Sequence, residues 1–295
     1  MSRIHLEPFD YYEPETLQEA CAHLASLEGK AQVMAGGIDL IPRYRSGAAD
    51  CSAIISIARL PELKYYRFDR EKGMDFGAMM TLHEFELCGD AIEVYPELQR
   101  AVHQITSTQT RIMGTVVGNI AQATPATDVG PALMAYDAQL LICGPEGERR
   151  ELVKDFYVDY RKSSLKKGEI VKGVHIPVPG PGTGCRFINR NRTHGDIAKI
   201  STTCLLQMEG KKCVKARIAL GSVAAIAYRD LAAEAVLEGQ EITEDLLIRA
   251  SEVMQSSLHP ITDIRSTADY RLEVTRVLVE RALISAWEKA MGGEA

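Results

Sequence analysis

Residues 113–135 read MGTVVGNIAQATPATDVGPALMA. Glycine and proline punctuate residues 114–131 too often for one regular element, yet the stretch is too apolar for a linker. Gly114 and Gly118 let the backbone approach a ligand closely. The segment Thr115-Val116-Val117-Gly118-Asn119 offers backbone N–H groups, and Thr115, Asn119 and Thr124 add side-chain donors. Asp128 opens a helix over 129–136. Its carboxylate can cap that helix or accept from a ligand.

Upstream, Ala35-Gly36-Gly37-Ile38-Asp39 follows an apolar strand-like run at 31–35 and precedes a short helical run at 40–44. Outward-facing N–H groups at such a turn suit a pyrophosphate, although a plain strand-to-helix turn has the same composition. Asp39 is placed to cap the short helix. Downstream, residues 192–199 (RTHGDIAK) form a polar loop entering a strand. Neither glycine loop has G-x-G-x-x-G spacing, so a Rossmann site is not indicated.

Around these loops the periodicity predicts a helix over 16–27, strands at 52–57 and 74–78, and helices at 81–87 and 97–105. Residues 139–143 read as a strand with a turn at 145–147. Residues 170–176 alternate and stop at Pro177, which predicts an edge or terminal strand. The PVPGPGTG run at 177–184 is the clearest linker. Beyond it, 185–189, 201–208 and 216–222 read as antiparallel strands, and 231–237, 243–256 and 268–291 as helices. The expected architecture is α+β: an N-terminal part at 1–177, subdivided near 57/58, and a sheet-plus-helices domain at 178–295.

The 295 residues suit more than one domain. A net charge of -6 argues against nucleic acid as a partner. No apolar run reaches the roughly 18 residues a membrane helix needs, and residues 1–9 lack the apolar core of a secretory signal. Seven scattered cysteines, with no C-x-x-C pair, point to a reducing cytoplasm and small buried hydrophobes. Clustered thiolates for an iron–sulfur centre are lacking. No nucleophile, acid–base dyad or metal-ligand cluster stands out. His194 alone lies near these loops, and it reads as an exposed loop residue.

Taken together, the segments resemble a known family. AGGIDLIP (35–42) is similar to the AGG-x-D/S-L motif of the FAD-binding subunits of molybdenum hydroxylases. These include the medium subunit of carbon monoxide dehydrogenase and the flavin domain of xanthine dehydrogenase. Residues 113–135 resemble their second glycine motif, THGDIAKIS (193–201) a third, and STADYRLEVTRVLVERAL (266–283) the closing helix. The resemblance implies a two-subdomain FAD-binding fold of the vanillyl-alcohol oxidase/p-cresol methylhydroxylase type. A C-terminal domain of small antiparallel sheet and helical bundle would follow.

By that resemblance, Ala35, Gly36, Gly37, Ile38 and Asp39 would hold the FAD pyrophosphate. Thr115, Val116, Val117, Gly118 and Asn119 would form a second phosphate and flavin loop. Thr124 and Asp128 would contact the ribityl or adenosine side, and Ile197 would lie beside the isoalloxazine. Two positions depart from the pattern. Ile38 stands where the family often has Thr or His, and Val117 where it often has Gly. A β-branched residue there requires an ordinary φ.

The implied role is electron transfer. A large partner subunit would carry the molybdenum cofactor and a small one two [2Fe–2S] centres, in a possible dimer of heterotrimers. This chain's FAD would pass the electrons to an external acceptor. A self-sufficient flavin oxidase and a flavin-free scaffold subunit are the alternatives.

Overall fold

The structure, a computed structural model, describes residues 8–27, 29–49, 52–193 and 195–293. Cys51, His194 and most of the N-terminal nonapeptide lie outside the described residues. The chain opens with a three-stranded parallel sheet. Asp10–Tyr12 and Ala31–Met34 flank Ala53–Ser56, with Asp10 and Ala31 both opposite Ala53. The helix Leu17–Ser26 makes the crossover, starting where the periodicity placed it. Thr16 caps it by accepting from the Glu19 amide at 3.2 Å, and its buried face is Leu17, Ala20 and Cys21. The strand Ala53–Ser56 is buried on both faces, as a central parallel strand must be.

A five-stranded antiparallel sheet follows, in the order Tyr66–Asp69, Gly73–Gly77, Ile170–Ile176, Gln139–Gly144, Gly147–Leu152. Here one expectation is corrected. Ile170–Ile176 is the central strand, not an edge. Pro177 falls one residue past its end, so the missing N–H removes no ladder bond, and proline there does not report on neighbours. Between Gly77 and Gln139 the chain folds into short helices against this sheet. Leu82–Glu86 begins with a capping box formed by Thr81 and Glu84. Pro96–His103 buries Leu98, Ala101 and Val102.

The last third is a four-stranded antiparallel sheet: Thr183–Arg190, Ile200–Glu209, Lys212–Gly221 and Tyr228–Arg229. The helix Ala268–Ala290 lies across it, burying Thr275, Leu278, Val279, Ala282, Leu283 and Ala286 at spacings of three and four. Strand and helix meet closely at Gly184, where a Cβ would sit 1.9 Å from the Ala286 carbonyl oxygen. The fold class expected from the sequence is the one observed.

Two carboxylates, Glu97 buried and Asp137 partly buried, join the sheets' neighbourhoods. Glu97 Oε2 accepts from the Phe187 amide at 2.8 Å and Oε1 from Lys289 Nζ at 2.6 Å. Asp137 takes Arg217 Nε at 2.8 Å and Arg229 Nη1 at 2.7 Å. Burial would raise the Asp137 pKa, but the two guanidinium groups hold it below its ordinary value. These cross-links fix the C-terminal sheet against the helical layer. Among the described residues no helix is long and apolar enough to cross a membrane.

Candidate functional site

The first glycine loop turns directly off the strand Ala31–Met34. Gly37 has φ +74°, a conformation glycine adopts without strain. Gly36 has a different duty. A Cβ on it would lie 1.7 Å from the Met113 carbonyl oxygen and 3.2 Å from Gly114 Cα. Its missing side chain therefore lets the first loop rest on the backbone of residues 113–114, which brings two distant segments into one site. Among the described residues, the amides of Gly36, Gly37, Ile38 and Asp39 donate to no protein acceptor. The four residues line a cavity of about 700 Å³.

The expected cap is not made. Asp39 precedes the helix Leu40–Arg45 with helical φ and ψ and makes no side-chain cap bond. Its carboxylate is engaged elsewhere: Oδ2 accepts from Arg43 Nη1 at 3.2 Å and lies 3.5 Å from Arg161 Nη1. Arg161 Nη1 is buried and unpartnered by any hydrogen bond, and Arg161 itself sits at φ +56°. The sequence reading missed both arginines. Arg43 was findable, one helical turn beyond Asp39; Arg161 comes from a distant turn.

The second loop differs from its expected form. Residues 116–121 are a helix, Val116–Ala121, capped by Thr115, whose Oγ1 accepts from the Gly118 amide at 2.9 Å. The Val116 amide bonds Met80 O and that of Asn119 bonds Thr115 O, so most of the donors anticipated here are already used. Asn119 Oδ1 accepts from Thr127 Oγ1 at 2.5 Å. Val117 lies inside the helix and is absent from the positive-φ residues, so its β-branched side chain is unstrained. Val116 is buried in the core, whereas Thr115, Val117, Gly118 and Asn119 line the first cavity.

A second cavity of about 600 Å³ adjoins the first and shares with it Asp39, Thr106, Asn119, Asp196 and Ile197 among its walls. Thr124 and Asp128 belong to this second compartment only. Ile197 is half-exposed at the junction of the two. Asp128 makes no cap bond to the helix Val129–Ala135. Its Oδ2 accepts from Asn189 Nδ2 at 3.2 Å, while Oδ1 is buried without a partner. Burial outweighs the opposing influence of Asn189 and of the nearby Ser201 hydroxyl and pushes this carboxyl up to about 6. On the far wall, Arg271 donates to the carbonyls of Lys199 and Ser222 and to Asp263, and its Nε is buried and unpartnered.

The residues present suit an elongated dinucleotide. Four unpaired amides beside two arginines match a diphosphate. The adjoining compartment offers an unpaired acceptor and an unpaired donor for a polar ring system.

Comparison with known proteins gives one answer along the chain. A family described as "FAD binding domain in molybdopterin dehydrogenase" matches residues 7–179, and one described as "CO dehydrogenase flavoprotein C-terminal domain" matches 187–286. The carbon monoxide dehydrogenase medium chain of Afipia carboxidovorans is 30% identical over 284 residues, covering 96% of this chain and 98% of its own. The glyceraldehyde dehydrogenase medium chain of Sulfolobus acidocaldarius is 30% identical over 278 residues, covering 93% and 96%. Among solved structures, a carbon monoxide dehydrogenase of Hydrogenophaga pseudoflava superposes with a TM-score of 0.92 at 29% identity, covering 97% of this chain and 99% of that one.

Proposed function

Because the chain belongs to the FAD-binding subunits of the molybdopterin dehydrogenase family, we propose that it takes electrons from [2Fe–2S] centres of a small partner subunit. It passes them to an external acceptor, while a large partner subunit carries the molybdenum cofactor and the organic substrate. Family membership makes the chain a flavoprotein component of an oxidoreductase. The FAD supplies the redox chemistry. The chain's own residues bind, orient and polarise.

On this reading the amides of residues 36–39, with Arg43 and Arg161, hold the pyrophosphate. Thr115, Val117, Gly118 and Asn119 wall the dinucleotide, and Val116 supports them from the core. Thr124 and Asp128 serve the second compartment, and Ile197 flanks the ring. The part before residue 178 supplies the binding loops, and the remainder closes the cleft. The observation that carries the reading is the row of four unpaired amides at 36–39, in residues that line a cavity sharing walls with a second compartment. Asp128 supports it. A carboxyl with one oxygen buried and unpaired is costly in the bare chain, and such groups cluster where a ligand completes them.

Relatives of similar identity are named for carbon monoxide, glyceraldehyde and nicotine. Similarity in this subunit therefore does not follow the organic substrate, as expected if another chain selects it.

The test is the visible spectrum of the purified chain, with any partners that accompany it, before and after acid release of flavin. Oxidised-flavin bands with releasable FAD are expected. A colourless protein that refuses added FAD would overturn the reading and leave a scaffold role.

A further inference from the structure

Thr106 is a β-branched residue at φ +35°, outside the range such side chains adopt without strain. It lines both cavities. Strain of this kind persists only where the surroundings over-determine it, and it concentrates at functional sites. Here the determining group is a single buried guanidinium. Arg111 Nη1 donates to the carbonyls of Ile105 at 2.9 Å and Thr106 at 3.2 Å, and Nη2 donates to Thr108 Oγ1 at 3.3 Å. Its other face grips Glu86 twice, Nε to Oε2 at 2.8 Å and Nη2 to Oε1 at 3.1 Å.

Glu86 is itself fixed. His83 and His103 approach its two oxygens at 3.2 and 2.6 Å. Burial would raise its pKa, but the bonds from Arg111, His103 and His83 bring it to about 2. The carboxylate is thus charged and anchored in the layer formed by Leu82–Glu86 and Pro96–His103. Arg111 conveys that anchoring to the backbone of residues 105–106.

The turn in turn supports a second one. A Cβ on Gly195 would sit 3.0 Å from Thr106 O and 3.3 Å from Thr106 Cα, so the two backbones pack directly. Gly195 precedes Asp196 and Ile197, which line both compartments. None of the family motifs quoted above includes Glu86, Thr106 or Arg111.

We infer that Arg111 is a positioning residue for the flavin: it clamps the strained turn at residues 105–106 and, through it, sets the stance of residues 195–197 at the junction of the two compartments. This rests on the FAD reading above and adds a determinant of how the ring is seated. Arg111 does not touch the cofactor; it acts through main-chain carbonyls and a packing contact.

Removing Arg111 alone would leave Glu86 buried without its main partner, a penalty unrelated to positioning. The test therefore uses the full chain carrying E86Q and R111M together, compared with the same pair plus T106G. Glycine takes positive φ unaided, so T106G replaces what the clamp does. The paired variant is expected to fold and to bind FAD about 10-fold more weakly, the scale on which freeing one strained residue acts. Adding T106G should restore most of that loss. FAD affinity is read by quenching of flavin fluorescence. Amide hydrogen exchange at residues 195–197, read without FAD, should rise in the pair and fall back on adding T106G.

Unchanged affinity in the paired variant, or a loss that T106G does not repair, overturns the proposal. So does unchanged exchange at 195–197. A wild-type chain that takes up no FAD overturns the flavin reading instead, and the exchange pattern alone then decides whether the clamp exists. If the paired variant does not fold, R111K takes its place. Lys keeps the charge but cannot span Glu86 and both carbonyls, so it should show the same weakening and the same repair by T106G.

Discussion

The two glycine loops look alike on paper and do different work. At residues 36–39 the amides are unspent among the described residues, and the carboxylate of Asp39, just ahead of the six-residue helix Leu40–Arg45, faces Arg43 and Arg161. At residues 115–119 the amides are mostly consumed by Thr115, Met80 O and a helix of the loop's own. Glycine content alone therefore does not make a phosphate cradle; unpaired donors do. The second loop contributes shape, and its backbone at 113–114 is the bench on which the first loop sits.

The sharpest way to break this contrast is to add one methyl to each loop. In G36A the new Cβ meets backbone at 1.7 Å, which cannot rotate away. The loop must leave residues 113–114, with destabilisation of about 3–5 kcal/mol and loss of FAD uptake. In G118A the Cβ meets Thr115 Oγ1 at 2.7 Å, the end of a short side chain. The hydroxyl can turn away at the expense of its cap, about 1 kcal/mol. Thermal melts and flavin content measured side by side check both. Equal damage would mean the loops are equivalent after all.

Asp128 extends the contrast to the second compartment. Its folded pKa is about 6, against an ordinary 3.8. The folded chain therefore holds a proton that the unfolded chain has lost between about pH 4 and 6. Stability must fall as pH rises through that window and stay low above it. The deficit at pH 8 is about 3 kcal/mol. Flavin-free D128N, uncharged throughout, should gain about 2–3 kcal/mol over wild type in urea unfolding at pH 8 and almost nothing at pH 4. A gain that is the same at both pH values would trace to packing and not to the buried charge.

How much of this was legible beforehand follows from how each element is encoded. The closing helix, the C-terminal strands and the first glycine turn carry their own periodicity or punctuation, and they lie where expected. Thr108–Met113 and Val116–Ala121 are helices that no local periodicity announces. Each is six residues long, and the glycines at 114 and 118 read as loop when the caps from Ser107 and Thr115 are unknown. Arg111 and Arg161 were invisible for another reason. Their partners are main-chain carbonyls or a carboxylate far along the chain, and no local pattern records such a partner. Asp128 was found as a residue but not as an unpaired one, because burial is a property of the assembled sheet.

The smallest expected effect tests the departure at Ile38. This side chain is 41% exposed and lines the first cavity, so I38T removes little buried area. Stability should stay within about 0.5 kcal/mol of wild type, as for most surface substitutions. If the pyrophosphate lies against residues 36–39, the new hydroxyl gains an anionic acceptor. That is worth about 1 kcal/mol, roughly a fivefold tighter FAD Kd by fluorescence quenching. Val117 offers no such gain, since V117T changes a side chain already buried within the helix Val116–Ala121. A fivefold gain at 38 with none at 117 would place the phosphate contact on the first loop alone. Equal gains at both positions would restore the second loop as a phosphate ligand and undo the contrast.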